Sequence, residues 1–507
     1  MKKLNKIFRT SEIAGIDQYT IENEPVSSLD LMERASMAWT KYFQEKFAND
    51  REVAVVAGSG NNGGDGFAIA RLLREQGWKV MVFRLMTGGK MSIDCETNYR
   101  RFLECGGLVT DVSDIGDFKP EYGCMLVDAI FGSGLNRKIT GLAAEVIRKM
   151  NALGQQVVAV DIPSGLMGED NSDNDPSVIV EADYTFTFQF PKLAFMLAEN
   201  DRYVGEWSVL DIGMHPAVIA DQPTSYYYMQ FEDVADRLPR QQKFAHKGTN
   251  CRGLLVAGGY GMMGAAVLAA KAAVRSGVGL LYCHVPVAEK NVIHIAVPEA
   301  LIDLDQSEGR FSGIHHTEKY DAVAIGPAIG KGPEMVEGMK QLLTDWKGTT
   351  IIDADALNIL SEHRELLSLL HEGCILTPHV KEFERLTGKC RNDFERLNKL
   401  STFASQYKVC VILKGAHTAI ASTEGEICFN MSGNPGMAKG GVGDVLTGVL
   451  LGLAANGLPP LEVALVGVFA HGLSGDIAAK EWGMRGICAG ILAEGMGKAW
   501  KKLENKV

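Results

Sequence analysis

At 507 residues the chain exceeds what one hydrophobic core serves, because single cores stop growing at roughly 250 to 300 residues and longer chains divide. Its 46% hydrophobic and 22% charged residues are those of a globular protein and exclude a disordered one. A net charge of -11, from 51 Lys+Arg against 62 Asp+Glu, gives no general attraction to nucleic acid or anionic membrane, so an anionic ligand needs local positive features such as helix N-termini.

The N-terminus is basic at first, MKKLNKIFRTSEIAGIDQYT, but no apolar stretch follows, and no uninterrupted apolar run of the roughly 20 residues that span a bilayer is visible. The ten cysteines form no C-x-x-C pair, and Cys283 and Cys410 sit in apolar runs, so they read as reduced core residues of a cytoplasmic protein.

In the first half, short apolar runs at 53–57, 80–85, 125–129, 157–160 and 184–188 alternate with segments of helical spacing, such as 69–73 and 143–147. That alternation predicts a parallel sheet with helices on both faces. The pattern breaks near Met214, where three prolines and a tyrosine run precede a new strand at 253–257. The expected domains are therefore 1–222 and 241–507, joined by a linker at 223–240. The second half restarts the α/β alternation with strands expected at 280–285, 322–325, 350–352, 374–377 and 409–413, a hairpin at 418–430, and an Ala-rich helix at 264–276.

After the strand at 53–57 comes GSGNNGGDGFAIARLL, a glycine-rich turn opening into a helix. Glycine permits positive φ and close backbone approach, while free N–H groups and the helix dipole attract phosphate. No Gly-Lys-Ser/Thr follows, so this is not a P-loop, and the strict G-x-G-x-x-G order is absent. A tight turn explains glycine alone; it explains Asn61, Asn62 and Asp65 less well. Asp128 and Asp161 stand at two further strand ends, where each alone reads as a cap or turn residue. In an open parallel sheet the carboxyl ends of the strands line the ligand crevice, so Asn62, Asp128 and Asp161 are expected to converge there.

Asn61-Asn62-Gly63-Gly64-Asp65-Gly66, Asp128-Ala129-Ile130-Phe131-Gly132-Ser133-Gly134 and Asp161-Ile162-Pro163-Ser164-Gly165 together resemble the YjeF N-terminal family of NAD(P)H-hydrate epimerases over residues 8–215. The resemblance implies a Rossmann-like domain that interconverts the R and S hydrates of NADH or NADPH at carbon 6 of the nicotinamide ring. It implies that Asn61, Asn62, Gly63, Gly64 and Asp65, with Gly132, Ser133, Gly134, Leu135, Asn136, Arg137, Lys138 and Asp161, bind the hydrated dinucleotide. Asn62, Asp128 and Ser164 match positions that hold a potassium ion and offer hard oxygen ligands. Asp161 is the acid/base or substrate-anchoring candidate, because ring opening and reclosure move protons to and from the hydroxyl. Lys192 matches a family lysine; the plainer reading is a surface lysine.

Near the C-terminus, GNPGMAKGGVGDVLTGVLLGLAANG places Gly440, Gly441 and Gly443 ahead of an apolar helix with Asp444 at its start. Exposed backbone N–H groups there suit phosphate. Asp444 either caps the helix or takes the proton from a hydroxyl attacking a phosphoryl group. The arrangement is similar to that of the ribokinase-like superfamily. His246-Lys247-Gly248-Thr249, Gly264-Ala265-Ala266, Gly326-Pro327, Asp353-Ala354-Asp355-Ala356-Leu357, Thr377-Pro378-His379 and Lys414-Gly415-Ala416-His417-Thr418 narrow the resemblance to NAD(P)H-hydrate dehydratases. It implies nucleotide contacts from Lys414, Gly415, Ala416, His417, Thr418 and Gly443, and hydrate contacts from Ala265, Gly326, His379 and Asp444. The co-substrate implied is ADP with magnesium, Asp355 and Glu382 contributing to the metal's outer shell, and the assembly is expected to be a homo-oligomer without nucleic acid or membrane partners. Two places depart from the family pattern: Val442 replaces a small polar residue, and His379-Val380-Lys381-Glu382 replaces His-Pro-Gly-Glu, losing a φ-fixing proline and a permissive glycine. A small-molecule kinase with a non-catalytic dinucleotide-binding N-terminal module is the alternative reading of the same motifs.

Overall fold

The computed structural model describes residues 1, 4–238, 243–244, 251–305, 307, 311–314 and 317–506. His246-Lys247-Gly248-Thr249 lies outside the described residues. The chain divides into two compact units, Lys6–Thr224 with 392–394, and 225–391 with 395–507 and the first five residues.

The first unit is built on seven parallel strands in the order Leu108–Val112, Val80–Leu85, Val53–Ala57, Met125–Ala129, Val157–Val160, Tyr184–Phe188 and Glu206–Leu210. The central runs are continuous in Val, Ala and Leu because helices cover both faces. Strand order reverses between Val53–Ala57 and Met125–Ala129. Their carboxyl ends splay there and leave the crevice that open α/β sheets use for ligands. The glycine-rich turn enters helix Asn61–Glu75 at this point. Gly66 lets that helix press onto the sheet, since a Cβ on it would come within 2.6 Å of Ala129 Cβ.

The second unit carries ten strands of one sheet. Leu301–Leu304, Leu280–Val285, Arg252–Val256, Ala322–Ile325, Thr349–Ile352, Cys374–Leu376 and Cys410–Leu413 run parallel in that spatial order. The expected hairpin follows as Ala419–Ala421 and Ile427–Asn430, both antiparallel to their predecessors. Tyr226–Met229, inside the stretch read as a linker, pairs with Ile427–Asn430, its three tyrosines nearly buried, and Phe231–Ala235 is a helix. Alternation marks a strand with one solvated face; this one is covered on both, so its tyrosine run carried no period-2 signal.

Helix Val442–Ala455 runs through the core of this unit, and its partner is the Ala-rich helix Met263–Arg275. Their backbones nearly touch: a Cβ on Gly448 would lie 2.0 Å from the Ala269 carbonyl oxygen. Pro460–Gly486 is long and apolar enough to cross a membrane by length and composition, which the sequence reading of short apolar runs did not register, but 72% of its apolar window is buried inside the protein. None of the ten cysteines is in a disulfide, and Cys488 is the exposed one.

Candidate functional sites

At the strand-order reversal of the first unit lies a cavity of about 660 Å³, within the roughly 300–1,000 Å³ of small-molecule and cofactor sites. It is lined by Asn61, Asn62 and Asp65 from the glycine-rich turn, by Gly132 to Arg137 after strand Met125–Ala129, by Asp161 and by Lys192. Gly63 and Gly64 support it from beneath. A Cβ on Gly63 would fall 2.0 Å from the Gly58 carbonyl oxygen, and one on Gly64 would meet the Met32 thioether at 2.8 Å. Lys138 is exposed and does not line the cavity.

Asp161 follows strand Val157–Val160 with φ +68°, a left-handed conformation that aspartate tolerates better than most side chains. Its Oδ1 accepts from Lys192 Nζ at 2.7 Å, from Thr187 Oγ1 at 3.1 Å and from the Phe188 N–H at 3.1 Å. Burial alone would raise its pKa, but the Lys192 charge and these donors outweigh burial and hold the carboxyl below the ordinary value. Lys192 is 2% exposed, so the surface-lysine reading fails; its ammonium also donates to Thr187 Oγ1 and the Phe190 carbonyl. Two other carboxylates face the same space. Asp65 is pushed well above its ordinary value by burial and by Asp161 and Asp17. Asp17, from helix Thr10–Asn23, rises to about 6, through burial and then the Asp161 charge, with Lys192 opposing.

Asp128 is fully buried behind this cavity. The Ser164 N–H donates to its Oδ2 at 2.7 Å and the Ser164 hydroxyl to its Oδ1 at 2.6 Å. Ser164 Oγ also lies 3.2 Å from the Phe131 carbonyl oxygen, so three hard oxygens meet at one serine. Burial lifts Asp128 to about 6 against the pull of these donors. The Asn62 side chain, whose Nδ2 is buried without a hydrogen-bond partner, packs within 3.2 Å of where a Cβ on Gly132 would stand.

In the second unit Gly441, at φ +85°, ends the glycine run and helix Val442–Ala455 begins, with Asp444 in its first turn. Val442 is 8% exposed and packs into the core, so the departure from the family pattern turns inward and leaves the backbone donors free of it. Asp353, which the sequence reading quoted without a role, organises the site. Its Oδ1 accepts from Lys414 Nζ at 2.9 Å and its Oδ2 from Thr447 Oγ1 at 2.7 Å. Burial opposes its charge, yet Lys414 and Thr447 hold its pKa below the ordinary value. Lys414 Nζ in turn stands 3.4 Å from where a Cβ on Gly443 would be, at the start of the helix. Asp444 feels both: burial, then the Asp353 charge, lifts it to about 6 while Lys414 pulls it down.

Gly326 has φ +136°, and a Cβ there would lie 1.8 Å from the Asp353 carbonyl oxygen. His379 pairs with Lys414 as an isolated parallel bridge, which brings the His379 turn beside the Lys414–Thr418 loop. Within that loop the Thr418 hydroxyl donates to the Gly415 carbonyl at 3.0 Å; Gly415 and Ala416 are exposed and His417 half-buried. Ala265 is half-buried in the first turn of helix Met263–Arg275. The His379-Val380-Lys381-Glu382 departure forms a helix start: His379 Nδ1 accepts from the Glu382 N–H at 3.2 Å, and Glu382 Oε2 accepts from the His379 N–H at 2.8 Å. This reciprocal cap replaces what proline and glycine would have set. The cap engages one oxygen of Glu382, and Asp355 Oδ2 accepts the Gly330 N–H at 2.9 Å. Among the described residues no group of three His, Cys, Asp or Glu side chains is placed to hold a metal.

Residues 28–194 match the family of YjeF-related protein N-termini and residues 253–495 the NAD(P)H-hydrate dehydratase family. The chain is 33% identical to a bifunctional NAD(P)H-hydrate repair enzyme of Moorella thermoacetica, over 98% of this chain and 97% of that one. It is 34% identical to one of Thermofilum pendens with the same coverage. A ribokinase-like superfamily protein of Enterococcus faecalis superposes at TM-score 0.50 with 25% identity, covering 56% of this chain and 98% of that one.

Proposed function

The chain belongs to the bifunctional NAD(P)H-hydrate repair enzymes, and from that membership we propose that its first unit epimerises hydrated NADH and NADPH while its second dehydrates the S epimer with ADP. The observation that carries the reading is the presence, in one chain matched along 98% of its length, of a dinucleotide-sized crevice and a glycine-capped helix bearing a carboxylate. Hydration yields both epimers and a stereospecific dehydratase clears one, so an epimerase on the same chain makes the other available.

In the first unit the glycine-rich turn and Arg137 receive the anionic dinucleotide, and the ring sits against Asp161. Asp161, kept ionised by Lys192, accepts the proton of the C6 hydroxyl. The C6–N1 bond breaks as the C=O forms, its electron pair passing to N1, which takes a proton; rotation and reclosure give the other epimer. The donor set of Asp128, Ser164 and Asn62 would suit a potassium ion, because a carboxylate, a hydroxyl and an amide oxygen are all hard ligands. Bound there, the ion would fix the Gly132 loop and add positive charge behind the substrate.

In the second unit Asp444 takes the proton of the C6 hydroxyl of the S hydrate, whose oxygen attacks the β-phosphorus of ADP as the bond to AMP breaks. Hydroxide leaves poorly and phosphate leaves well. The ring nitrogen's lone pair then expels phosphate from C6, and loss of a C5 proton restores the dihydronicotinamide. Lys414 and the backbone at Gly443 receive the nucleotide phosphates. Magnesium bound with the nucleotide would neutralise its phosphate charge, and Asp355 and Glu382, each with one carboxylate oxygen on a backbone N–H, would contribute to its outer shell through the other. Ten cysteines kept as thiols, most of them buried, fit a reducing cytoplasm, where nicotinamide nucleotides are used.

The test is chromatography of purified protein with mixed R and S NADH hydrate, magnesium, potassium and ADP or ATP, alongside Asp444→Ala and Asp161→Ala. Complete recovery of NADH with ADP is expected, lost in Asp444→Ala and limited to the S epimer in Asp161→Ala. Absence of nucleotide-dependent recovery in the intact protein would overturn the dehydratase reading and bring the kinase forward.

A further inference from the structure

The epimerase reading leaves one proton without a carrier. Ring opening removes a proton from the hydroxyl and places one on N1, two atoms on different sides of the same carbon, and one carboxylate held by Lys192 serves only the first of these. The cavity wall opposite the strand ends is helix Thr10–Asn23, which contributes Thr10, Ile13, Ala14, Asp17 and Ile21. Their spacing is that of one helical face. Four of the five are apolar or carry a methyl; the fifth is a half-buried carboxylate that makes no ion pair or hydrogen bond among the described residues. An exposed-face aspartate needs no explanation, but an aspartate facing a ligand cavity from an apolar stripe does.

Resting on the epimerase reading, we propose that Asp17 is the second proton carrier of that site, donating to N1 as the C6–N1 bond breaks and recovering the proton when N1 attacks the other face of the aldehyde. Asp161 removes the hydroxyl proton and returns it on reclosure, so the cycle conserves protons and needs no oxidant, reductant or other reactant. Two carboxyl groups assigned opposite duties must differ in their surroundings. They do. Asp161 has Lys192, Thr187 and the Phe188 N–H on it and stays ionised. Asp17 has burial and the Asp161 charge against ionisation, with Lys192 in opposition, and titrates at about 6. The other charged groups facing this space are Arg137, from the loop after strand Met125–Ala129, and Asp65. Asp65, at the opening of helix Asn61–Glu75, is held well above its ordinary value by burial and by the Asp161 and Asp17 charges.

The experiment measures epimer exchange by chromatography of purified S hydrate without nucleotide, where the second unit is silent, from pH 5 to 9 with the uncatalysed rate subtracted. Wild-type kcat is expected to fall as pH rises through the Asp17 pKa, about tenfold per unit beyond it, because the acid form disappears. Asp17→Asn is expected to lose about 100-fold or more in kcat with KM within threefold, and to lose that alkaline limb. Asp17→Glu, which keeps a titrating carboxyl, restores part of the rate and the limb with it. The assignment is overturned if Asp17→Asn keeps wild-type kcat or the alkaline limb, if its loss is a rise in KM alone, if Asp17→Glu is as inactive as Asp17→Asn, or if Asp65→Asn abolishes the limb instead. Failure of the wild-type protein to exchange epimers above the uncatalysed rate would instead bring down the epimerase reading itself.

Discussion

Lys192 Nζ and Asp161 Oδ1 lie 2.7 Å apart at the carboxyl end of a parallel sheet, both out of solvent, the lysine 2% exposed. Each makes the other tolerable, since an isolated buried charge costs several kcal/mol. The second unit repeats the device with Lys414 and Asp353, 2.9 Å apart. In both, the lysine fixes the charge of one carboxylate and tunes a second that is not its direct partner: Asp17 in the first unit and Asp444 in the second.

Replacing Lys192 leaves Asp161 buried without its counter-charge. Lys192→Met is expected to destabilise the first unit by about 3 kcal/mol near neutral pH, the cost typical of breaking a buried pair. Because Asp161 is depressed in the fold, its contribution is present above its unfolded pKa of about 3.9 and is lost as pH falls through the folded value. The gap between wild type and variant in urea unfolding should therefore narrow below pH 4. An unchanged gap at pH 3 would mean that the ion pair is not its source.

Asp444 must be ionised to accept a proton, and burial together with Asp353 places its pKa at about 6. Consumption of S hydrate with ADP is expected to rise with pH through 6 and level off above it, reaching about a tenth of the plateau one unit below. Asp444→Asn should cost about 10²- to 10⁴-fold and flatten the profile. Lys414→Met should move the midpoint upward, since Lys414 is the group that lowers it. A midpoint left in place would separate Lys414 from Asp444.

Gly326 has no room for a side chain. With φ at +136° and the Asp353 carbonyl oxygen 1.8 Å from where a Cβ would sit, Gly326→Ala must displace the backbone of the residue that holds Lys414. Destabilisation of the second unit by more than about 2 kcal/mol is expected, with a raised KM for nucleotide. Differential scanning calorimetry resolves it, provided the two units melt separately; the first transition affected should be that of residues 225–507. Gly264→Ala, where nothing lies within 4 Å of the added Cβ, is the neutral control.

His471 is buried beside the same helix start, and burial lowers its pKa to about 4. The unfolded chain binds a proton at about pH 6.5 that the folded protein refuses, so this group leaves stability intact above 6.5 and withdraws up to about 3 kcal/mol between 6.5 and 4. Asp444, raised in the fold, acts with the opposite sign over part of the same range. The difference between wild type and His471→Gln isolates the histidine: the variant should lose less stability on acidification from 6.5 to 4. Equal acid slopes would place the histidine proton elsewhere.

Strands buried on both faces and flanked by turns were legible as short apolar runs, and every one of the eleven expected runs lies on an observed strand. Leu108–Val112, Glu206–Leu210 and Leu301–Leu304 were not among them, because sheet edges mix polar with apolar residues and give neither a continuous run nor clean alternation. Asp17 left a trace, a carboxylate inside the apolar stripe of Thr10, Ile13, Ala14 and Ile21, but only the cavity shows what that stripe faces.

What the sequence determined by itself was the number of units, the parallel sheets, and the glycine-rich turns that mark both sites, since these follow from local periodicity and from the backbone freedom of glycine. Family motifs written in consecutive residues identified the chemistry. The tertiary structure decided which charges meet. Lys192 is 31 residues from Asp161 and Lys414 is 61 from Asp353, and no local pattern states that such a pair will close at 2.7 or 2.9 Å. Ionisation depends on burial and on neighbours brought from distant strands. Whether an aspartate serves as anchor, acid or base was therefore left to the fold.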